Sequence, residues 1–319
     1  MHETKRKLGA LRREVGKGLV GQQGLLDGLL TAVLAGGHVL IEGVPGLAKT
    51  RAVNLLAQAC DASFRRVQFT PDLLPADIVG TRIYNRNTGE LETRKGPVFA
   101  QFVLADEINR AAPKVQSALL EAMQERQVTL GDETLPLPAP FFVFATQNPV
   151  EQHGTYPLPE AQLDRFLMKL VVGYPRPDDE HDVVRMVLNE ERLPAVDTAV
   201  TGAGLLEMQA AVRRVPVTDR IVLYATRIVA ATRAPASVGL ERLADYVELG
   251  ASPRGSISLV QVARAHAVLQ GRERVLPEDI KAVAPNVLRH RILLNYHAEA
   301  EGIDVESVLA DLLGAVPVA

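Results

Sequence analysis

The sequence predicts an α/β domain built on a parallel sheet, followed by a smaller domain made only of helices. Short apolar segments in the first half each end in polar residues, as the strands of a ligand-binding parallel sheet do. From residue 178 onward strand-like segments disappear and helical periodicity dominates. Between the two regions, residues 173–177 contain two prolines and a glycine. We therefore expect two domains, 1–175 and 176–319.

The elements of the first domain follow from its apolar pattern. Helices are expected at 3–18, from about 22 to Ala35, at 50–59 and from Pro113, a position where the missing N–H of proline costs nothing. Apolar runs predict five strands, at 39–41, 64–69, 102–106, 141–146 and 168–172. Turn residues predict hairpins at 82–93 and 127–140. The expected architecture is a three-layer domain with a five-stranded parallel sheet.

The second domain is predicted from helical periodicity alone. Its expected helices lie at about 178–192, 203–213, 217–233, 256–271, 277–289 and 299–314.

Composition excludes several classes of protein. The chain has 319 residues and a net charge of −3, so its overall charge does not favour binding to nucleic acid or to an anionic membrane. The single cysteine, Cys60, excludes an internal disulfide and fits a reducing compartment. No secretory signal is recognisable, and the apolar stretch 25–41 is interrupted by Asp27, two glycines and His38, which argues against a membrane span. We expect a cytoplasmic protein.

A glycine-containing loop between the first strand and the next helix is typical of phosphate binding. Glycines let backbone N–H groups curl around an anion, and a helix N-terminus adds positive potential. A lysine supplies a mobile cation, and a hydroxyl supplies a ligand for Mg²⁺. The usual pattern has glycine before the lysine, where this chain has alanine, the smallest substitute, which can be helical at this position. The predicted nucleotide-binding residues are Gly43, Val44, Pro45, Gly46, Leu47, Ala48, Lys49 and Thr50.

Two later strands end in residues that suit the same chemistry. The strand at 102–106 ends in paired carboxylates, Asp106 and Glu107. In such sites the first carboxylate holds Mg²⁺, usually through water, and the second polarises the attacking water. The strand at 141–146 is followed by Asn148, whose amide can orient that water against the γ-phosphate. The three strand ends together predict ATP and Mg²⁺ as ligands, with Thr50 and Asp106 as the metal-binding residues.

The helix at 3–18 has two possible interpretations. It carries six basic and two acidic residues beside an apolar stripe, so it could contact anionic lipid or DNA. The favoured interpretation is a helix docked on the core with its charged face in water.

The order of motifs resembles the MoxR family of AAA+ ATPases, in the magnesium-chelatase-like branch with its helix-2 insert. The resemblance covers nearly the whole chain, and the two hairpins resemble the inserts of that branch. The resemblance depends on motifs that occur in this chain in the same order as in the family. These motifs are 43–50, 106–110 with 116–125, 145–149, 154–166 and 250–254.

The resemblance implies roles for further residues. Asn148 would sense the γ-phosphate, and Arg165 would be an arginine finger given to the neighbouring subunit's nucleotide. Arg254 would reach its own subunit's site as a second sensor, and Arg110 would line the site or the subunit junction. His153 departs from the family pattern, since an acidic residue is expected there.

Three functions remain open on the sequence. The first, implied by the resemblance, is ATP-driven remodelling or maturation of partner proteins in a ring, expected to be a hexamer. Partners in the family are often von Willebrand factor A domain proteins, and some members act in metal-cofactor insertion. The second is a DNA-associated AAA+ motor, although the hairpins mix acidic with basic residues. The third is a nucleotide-responsive scaffold with negligible hydrolysis.

Overall fold

The structure, a computed structural model, describes residues 1–87, 89–150, 154–188 and 195–318. Its α-helices are α1 (His2–Gly16), α2 (Gln23–Ala35), α3 (Lys49–Ala59), α4 (Pro75–Val79), α5 (Pro113–Glu125), α6 (Glu160–Leu163), α7 (Pro177–Leu188), α8 (Gly202–Arg213), α9 (Asp219–Arg233), α10 (Glu241–Ala244), α11 (Pro253–Leu269), α12 (Pro277–Leu288), α13 (Tyr296–Ala300) and α14 (Val305–Ala315). Its strands are β1 (Val39–Glu42), β2 (Phe64–Gln68), β3 (Gly80–Asn85), β4 (Glu90–Lys95), β5 (Phe102–Asp106), β6 (Gln127–Leu130), β7 (Glu133–Pro136), β8 (Phe142–Gln147), β9 (Met168–Val171), β10 (Val247–Leu249) and β11 (Leu293–Leu294).

The main sheet is parallel and has the order β2-β5-β8-β1-β9, which confirms the prediction of five parallel strands. Because all five strands run the same way, their carboxyl ends meet along one edge. In register, Glu42 is paired with Gln147, and Gln68 with Asp106. The polar residues that follow the strands are therefore brought together.

Each face of the sheet is covered by its own apolar layer. Val39 and Ile41 belong to a core shared with α1, α2, α3 and the helical domain. Leu40 and Val103 point the other way, into a second core with α4 and α5. Cys60 is fully buried in the first core, where burial raises the pKa of its thiol to about 12. Cys60 is therefore a core residue. The apolar layers on both faces of the sheet confirm the prediction of a three-layer domain.

The N-terminal helix is docked on the core. Its apolar stripe, Leu8, Leu11 and Val15, is buried. Four of its six basic side chains form ion pairs, which are Lys5–Glu273, Lys7–Glu207, Arg12–Asp27 and Lys17–Glu14. These pairs support the interpretation of a docked helix over that of a lipid-binding or DNA-binding one.

The helical domain packs directly on α2. The side chain of Gln209 donates to the carbonyl oxygen of Val33 at 2.8 Å, and that of Gln261 to the carbonyl oxygen of Ala35 at 2.7 Å. These bonds satisfy carbonyl groups that the end of a helix leaves without a partner. Among the described residues, no helix has the length and apolar character needed to cross a bilayer.

Two details of the helical domain differ from the prediction. The single helix expected at 299–314 is two helices, α13 and α14, because Gly302 adopts a φ of +70° and Asp304 caps a new helix through Ser307 N–H. A short antiparallel ribbon, β10 with β11, is also present. Residues 189–194, which include the end of the helix predicted at 178–192, lie outside the described residues. The boundary at 175/176 falls between β9 and α7 and stays a prediction.

The structure confirms both hairpins, β3–β4 and β6–β7, and brings them together. A guanidinium nitrogen of Arg82 lies 3.7 Å from a carboxylate oxygen of Asp132, and the hydroxyl of Thr93 donates to Glu133 at 3.2 Å. The two hairpins therefore pair opposite charges with each other.

Candidate active site

The loop between β1 and α3 is shaped by two glycines. At Gly43 a Cβ would lie 2.7 Å from the carbonyl oxygen of Val172, so the backbone approach leaves no room for a side chain. Gly46 adopts a φ of +87°, which L-residues rarely adopt. No side chain caps the N-terminus of α3, and its first N–H groups stay available to an anion.

Ala48, which could have been helical, is not. It lies in the left-handed region, with φ 58° and ψ 19°, and forms the N-cap of α3. That conformation costs a residue with a Cβ about 1 kcal/mol, which explains why glycine is usual at this position. The loop keeps the shape that glycine would give it, at the expense of local strain.

Lys49, the first residue of α3, holds the only amine among the described residues that line the loop's cavity. Its ammonium group donates to the carbonyl oxygen of Gly43. Burial lowers its pKa, and the nearby carboxylates of Asp106, Glu107 and Glu42 oppose this shift. The amine is thus half-buried and close to several carboxylates.

The end of β5 presents both predicted carboxylates. Asp106 is buried, and its Oδ1 accepts a hydrogen bond from the hydroxyl of Thr146 at 2.6 Å. Its Oδ2 accepts from the guanidinium of Arg66 at 2.6 and 2.9 Å. The negative charge of Asp106 is therefore matched by a cation from the neighbouring strand β2.

Glu107 is held in a separate geometry. It has a φ of 57°, and its N–H donates to the hydroxyl of Thr146 at 2.8 Å. Its carboxylate accepts from Gln68 at 2.9 Å and from Arg110 at 3.2 Å. The positive φ turns the chain sharply after β5, so that successive carboxylates have different partners.

Asn148 completes the wall. It is buried after β8, and its side-chain oxygen accepts the N–H of Val150 at 3.1 Å. The shared cavity has a volume of about 410 Å³ and is lined by the loop from Pro45 to Arg51, by Arg66, Gln68, Asp106, Glu107, Thr146 and Asn148. The structure thus brings together Lys49, Thr50, Asp106, Glu107 and Asn148, as the sequence predicted.

Four residues that line the cavity were not predicted from sequence: Arg51, Arg66, Gln68 and Thr146. Gln68 and Thr146 are polar residues at strand ends, which was a usable signal. Arg66 carried no such signal in the sequence, because its proximity to Asp106 depends on β2 being the neighbour of β5.

The two predicted arginines lie elsewhere. Neither Arg165 nor Arg254 lines the cavity of the phosphate loop. A guanidinium nitrogen of Arg254 lies 3.3 Å from the carboxylate of Asp164, which also accepts from Arg291 at 2.7 Å. The structure does not bring Arg254 into its own subunit's loop cavity, since Asp164 holds it at the end of α6.

Arg165 follows Asp164 directly and is partly exposed. Within the described residues its side chain makes no hydrogen bond or ion pair, so the salt bridge that a surface arginine might form with its neighbours Glu160 or Asp164 is not observed. Arg110 instead forms an ion pair with Glu107, which lines the cavity. His153 falls outside the described residues.

A second cavity, of about 700 Å³, is lined by Asp164 but by neither Arg165 nor Arg254. It lies between the sheet edge and the helical domain, and Asn148 lines both cavities. Lys169 and Glu42 form an ion pair of 2.8 Å in its wall, and Asp164 also borders it. Asp164 and its partner Arg291 therefore line the second cavity and not that of the phosphate loop.

The donor set fits a magnesium ion that is held with a nucleotide. In the described part of the chain, no group of three or more His, Cys, Asp or Glu residues could hold a metal without other ligands. Mg²⁺ typically takes one or two protein oxygens together with phosphates and water. The Thr50 hydroxyl and Asp106 supply such oxygens, and the cavity leaves space for phosphates beside them.

The parallel sheet, the loop and the paired carboxylates define a P-loop nucleotide-binding protein with a helical second domain. Residues 38–168 match the family model described as the ATPase family associated with various cellular activities, and residues 240–312 match the AAA lid domain. The chain belongs to the MoxR family of AAA+ ATPases, with magnesium-chelatase-like relatives.

Three relatives are similar over nearly the whole chain. Chaperone MoxR1 of Mycobacterium tuberculosis is 48% identical over 95% of this chain and 80% of its own length. The uncharacterized protein YeaC of Bacillus subtilis is 46% identical over 98% of this chain and 94% of its own. A crystal structure of a Cytophaga hutchinsonii protein, proposed to be an ATPase, superposes with a TM-score of 0.93 at 50% identity, covering 99% of this chain and 96% of that one.

Proposed function

We propose that this chain hydrolyses ATP to ADP and phosphate in a ring oligomer and uses the turnover to remodel or mature partner proteins. The observation that carries the proposal is the position of the Glu107 carboxylate. It lies at the end of β5 in the same cavity as Lys49 and Asp106, where it can accept a proton from a water that attacks the γ-phosphate.

Each residue of the cavity has a role in this proposal. Lys49 and the N–H groups of the loop bind the β- and γ-phosphates, and Asn148 orients the attacking water. Thr50 and Asp106 would hold Mg²⁺, the latter through water. When bound, the ion neutralises charge on the phosphate oxygens. Phosphoryl transfer needs positioning and charge more than covalent chemistry, and these residues supply both.

The arginines support the ring, which we propose to be a hexamer. Arg165 has no partner within the described residues and lies away from its own phosphate loop, as an arginine finger given to a neighbour would. Arg254 lies on the same Asp164 that precedes Arg165. We therefore propose that both arginines serve the nucleotide of the neighbouring subunit, which replaces the expectation that Arg254 acts in its own.

The partners are proposed from the family. A von Willebrand factor A domain protein is the expected partner. Insertion of a metal cofactor is one form that maturation of the partner would take, and the expected location is the cytoplasm. The name of the Mycobacterium relative, a chaperone, supports the coarser role. The paired charges of the two hairpins do not favour DNA binding. A scaffold without hydrolysis stays open, and the following test separates it.

The test replaces Glu107 by glutamine, with Glu125→Gln, an exposed residue of α5, as the matched control. General-base catalysis contributes about 10²–10⁴ in rate. We expect Glu107→Gln to lose turnover by that factor while ATP affinity stays unchanged, and the control to keep both. Turnover that survives in Glu107→Gln would remove this residue from the mechanism. A wild-type protein that binds ATP without turnover at any concentration would be the scaffold.

A further inference from the structure

A groove on the side of the molecule distant from the loop cavity's lining residues collects positive charge. It has a volume of about 630 Å³ and lies between the end of α2, the end of α5 and helices α8, α9 and α11. Three arginines line it: Arg126, Arg213 and Arg264. We call it the arginine groove. It shares no lining residue with the cavity of the phosphate loop.

The charge of this groove is not compensated by carboxylates. No Asp or Glu is among the described residues that line it, and none of the three arginines forms an ion pair within the described chain. This is a local departure, because the whole chain has a net charge of −3. Clustered guanidinium groups repel one another unless an anion lies between them.

The deepest arginine also lacks a hydrogen-bond acceptor. Nε of Arg264 is buried without a partner, and Arg126 makes only a long contact, 3.5 Å, with the carbonyl oxygen of Gly36. Other carbonyl groups at this end of α2 already accept from Gln209 and Gln261. The donors of the arginines are therefore in excess, and carboxylate oxygens are their best partners.

The rim of the groove is apolar and open. Ile257 is 67% exposed and Val222 is 42% exposed, and both line the groove with Thr226 and Ser256. Exposed apolar side chains beside unpaired arginines are typical of a protein interface rather than of a closed pocket. They suit a peptide that alternates carboxylates with apolar side chains.

We propose that the arginine groove binds an acidic segment of a partner protein, with carboxylates on the three arginines and an apolar side chain on Ile257 and Val222. The proposal deepens the proposed function, on which it rests, by giving the partner a chemistry. Arg126 belongs to the first domain, whereas Arg213 and Arg264 belong to the second, so such a segment would contact both domains.

The test uses a fluorescein-labelled peptide, Glu-Glu-Leu-Glu-Glu-Leu-Glu-Glu, and the full chain held in ADP and Mg²⁺. Anisotropy should show saturable binding that weakens as salt is raised. The double variant Arg126→Gln/Arg213→Gln should weaken binding by about tenfold or more. Arg274→Gln, an exposed arginine outside the groove, removes one charge and should change it by less than about twofold. The same peptide with Gln for each Glu should not bind.

Several outcomes would overturn the proposal. The first is a lack of saturable binding, and the second is an affinity of the double variant equal to that of wild type. The third is that the glutamine peptide binds as tightly as the glutamate peptide. The fourth is displacement of the peptide by tripolyphosphate at micromolar concentration, which would indicate a site for a small anion instead. The ATPase rate of the double variant should equal that of wild type, because neither arginine touches the loop cavity. A failure of the proposed function would instead appear as a lack of turnover in the wild-type protein, so the two failures are distinguishable.

Discussion

The guanidinium of Arg66 donates two hydrogen bonds to Oδ2 of Asp106, at 2.6 and 2.9 Å. Asp106 is the carboxylate that we propose for Mg²⁺, and its other oxygen is already taken by Thr146. Because the side chain of Arg66 is 51% exposed, it can leave without disturbing the core. Arg66 would therefore compete with the proposed metal for this carboxylate, and its withdrawal would accompany binding of the nucleotide.

Removal of Arg66 should make magnesium binding easier. A half-exposed ion pair contributes about 1 kcal/mol, so Arg66→Ala should lower the Mg²⁺ concentration that half-saturates binding of a fluorescent ATP analogue by about fivefold. Arg65→Ala, the exposed neighbour on β2, is the matched control and should leave this concentration unchanged. A higher magnesium requirement in Arg66→Ala would mean that Arg66 helps to bind the phosphates.

The strain at Ala48 can be measured directly. Ala48→Gly relieves about 1 kcal/mol of left-handed strain in the folded state. It also increases the conformational entropy of the unfolded chain, which costs about 0.5–1 kcal/mol of stability. We expect a free energy of unfolding that is unchanged or higher by up to about 0.5 kcal/mol. Ala310→Gly, at an exposed position inside α14, should instead lose about 1 kcal/mol in the same denaturant titration. Equal losses in the two variants would contradict a left-handed Ala48.

His38 predicts a pH dependence of stability. It is buried between the N–H of Val143, which donates to Nδ1 at 2.9 Å, and the carbonyl oxygen of Met123, 3.2 Å from Nε2. Burial is the main cause that lowers the pKa of His38 from 6.5 to about 4; the hydrogen bond to Met123 opposes this shift and the charge of Arg126 adds to it. Between these values the unfolded chain binds more protons than the folded one, so stability falls as the pH is lowered through this window.

From this shift, His38 should remove about 2 kcal/mol of unfolding free energy between pH 7 and pH 5. His290, whose pKa is also lowered by burial, likewise lowers stability as the pH falls. It is present in both wild type and His38→Gln, so its contribution cancels when the two are compared. Denaturant unfolding of wild type and of His38→Gln at both pH values isolates the contribution of His38. The same pH difference in both proteins would show that His38 is not buried in its neutral form.

The direction in which the arginines act can be tested with mixed oligomers. Lys49→Ala subunits cannot use their own loop, and Arg254→Ala subunits keep an intact loop. If Arg254 serves the neighbour, a mixture should recover part of the ATPase rate, because an intact loop then lies beside an intact Arg254. A mixture of Lys49→Ala subunits with Arg165→Ala subunits should also recover part of the ATPase rate.

The matched control for this experiment mixes Lys49→Ala with Glu107→Gln. Both defects lie in the subunit's own cavity, so this mixture should stay inactive. Recovery with Arg165→Ala but not with Arg254→Ala would return Arg254 to its own subunit's site.

The fold class was readable from the sequence because its signals are local. Apolar runs of strand length, helical periodicity after residue 178 and glycine at two loop positions each depend on residues adjacent in the chain. The same holds for Lys49, Asp106 and Glu107, which are recognisable because they follow strands of a parallel sheet. The backbone of Ala48 was not readable in this way, because it is set by the closure of the loop rather than by its own helix propensity.

The sequence alone therefore determined the elements, the domain order and the chemistry of the phosphate loop. Only the tertiary structure decided which distant residues meet. The contact between Arg66 and Asp106 requires β2 to lie beside β5, the pairing of Arg254 with Asp164 joins the two domains, and the arginine groove is assembled from several helices. Such contacts follow from packing of whole elements against a shared core, and no periodicity within a segment encodes them.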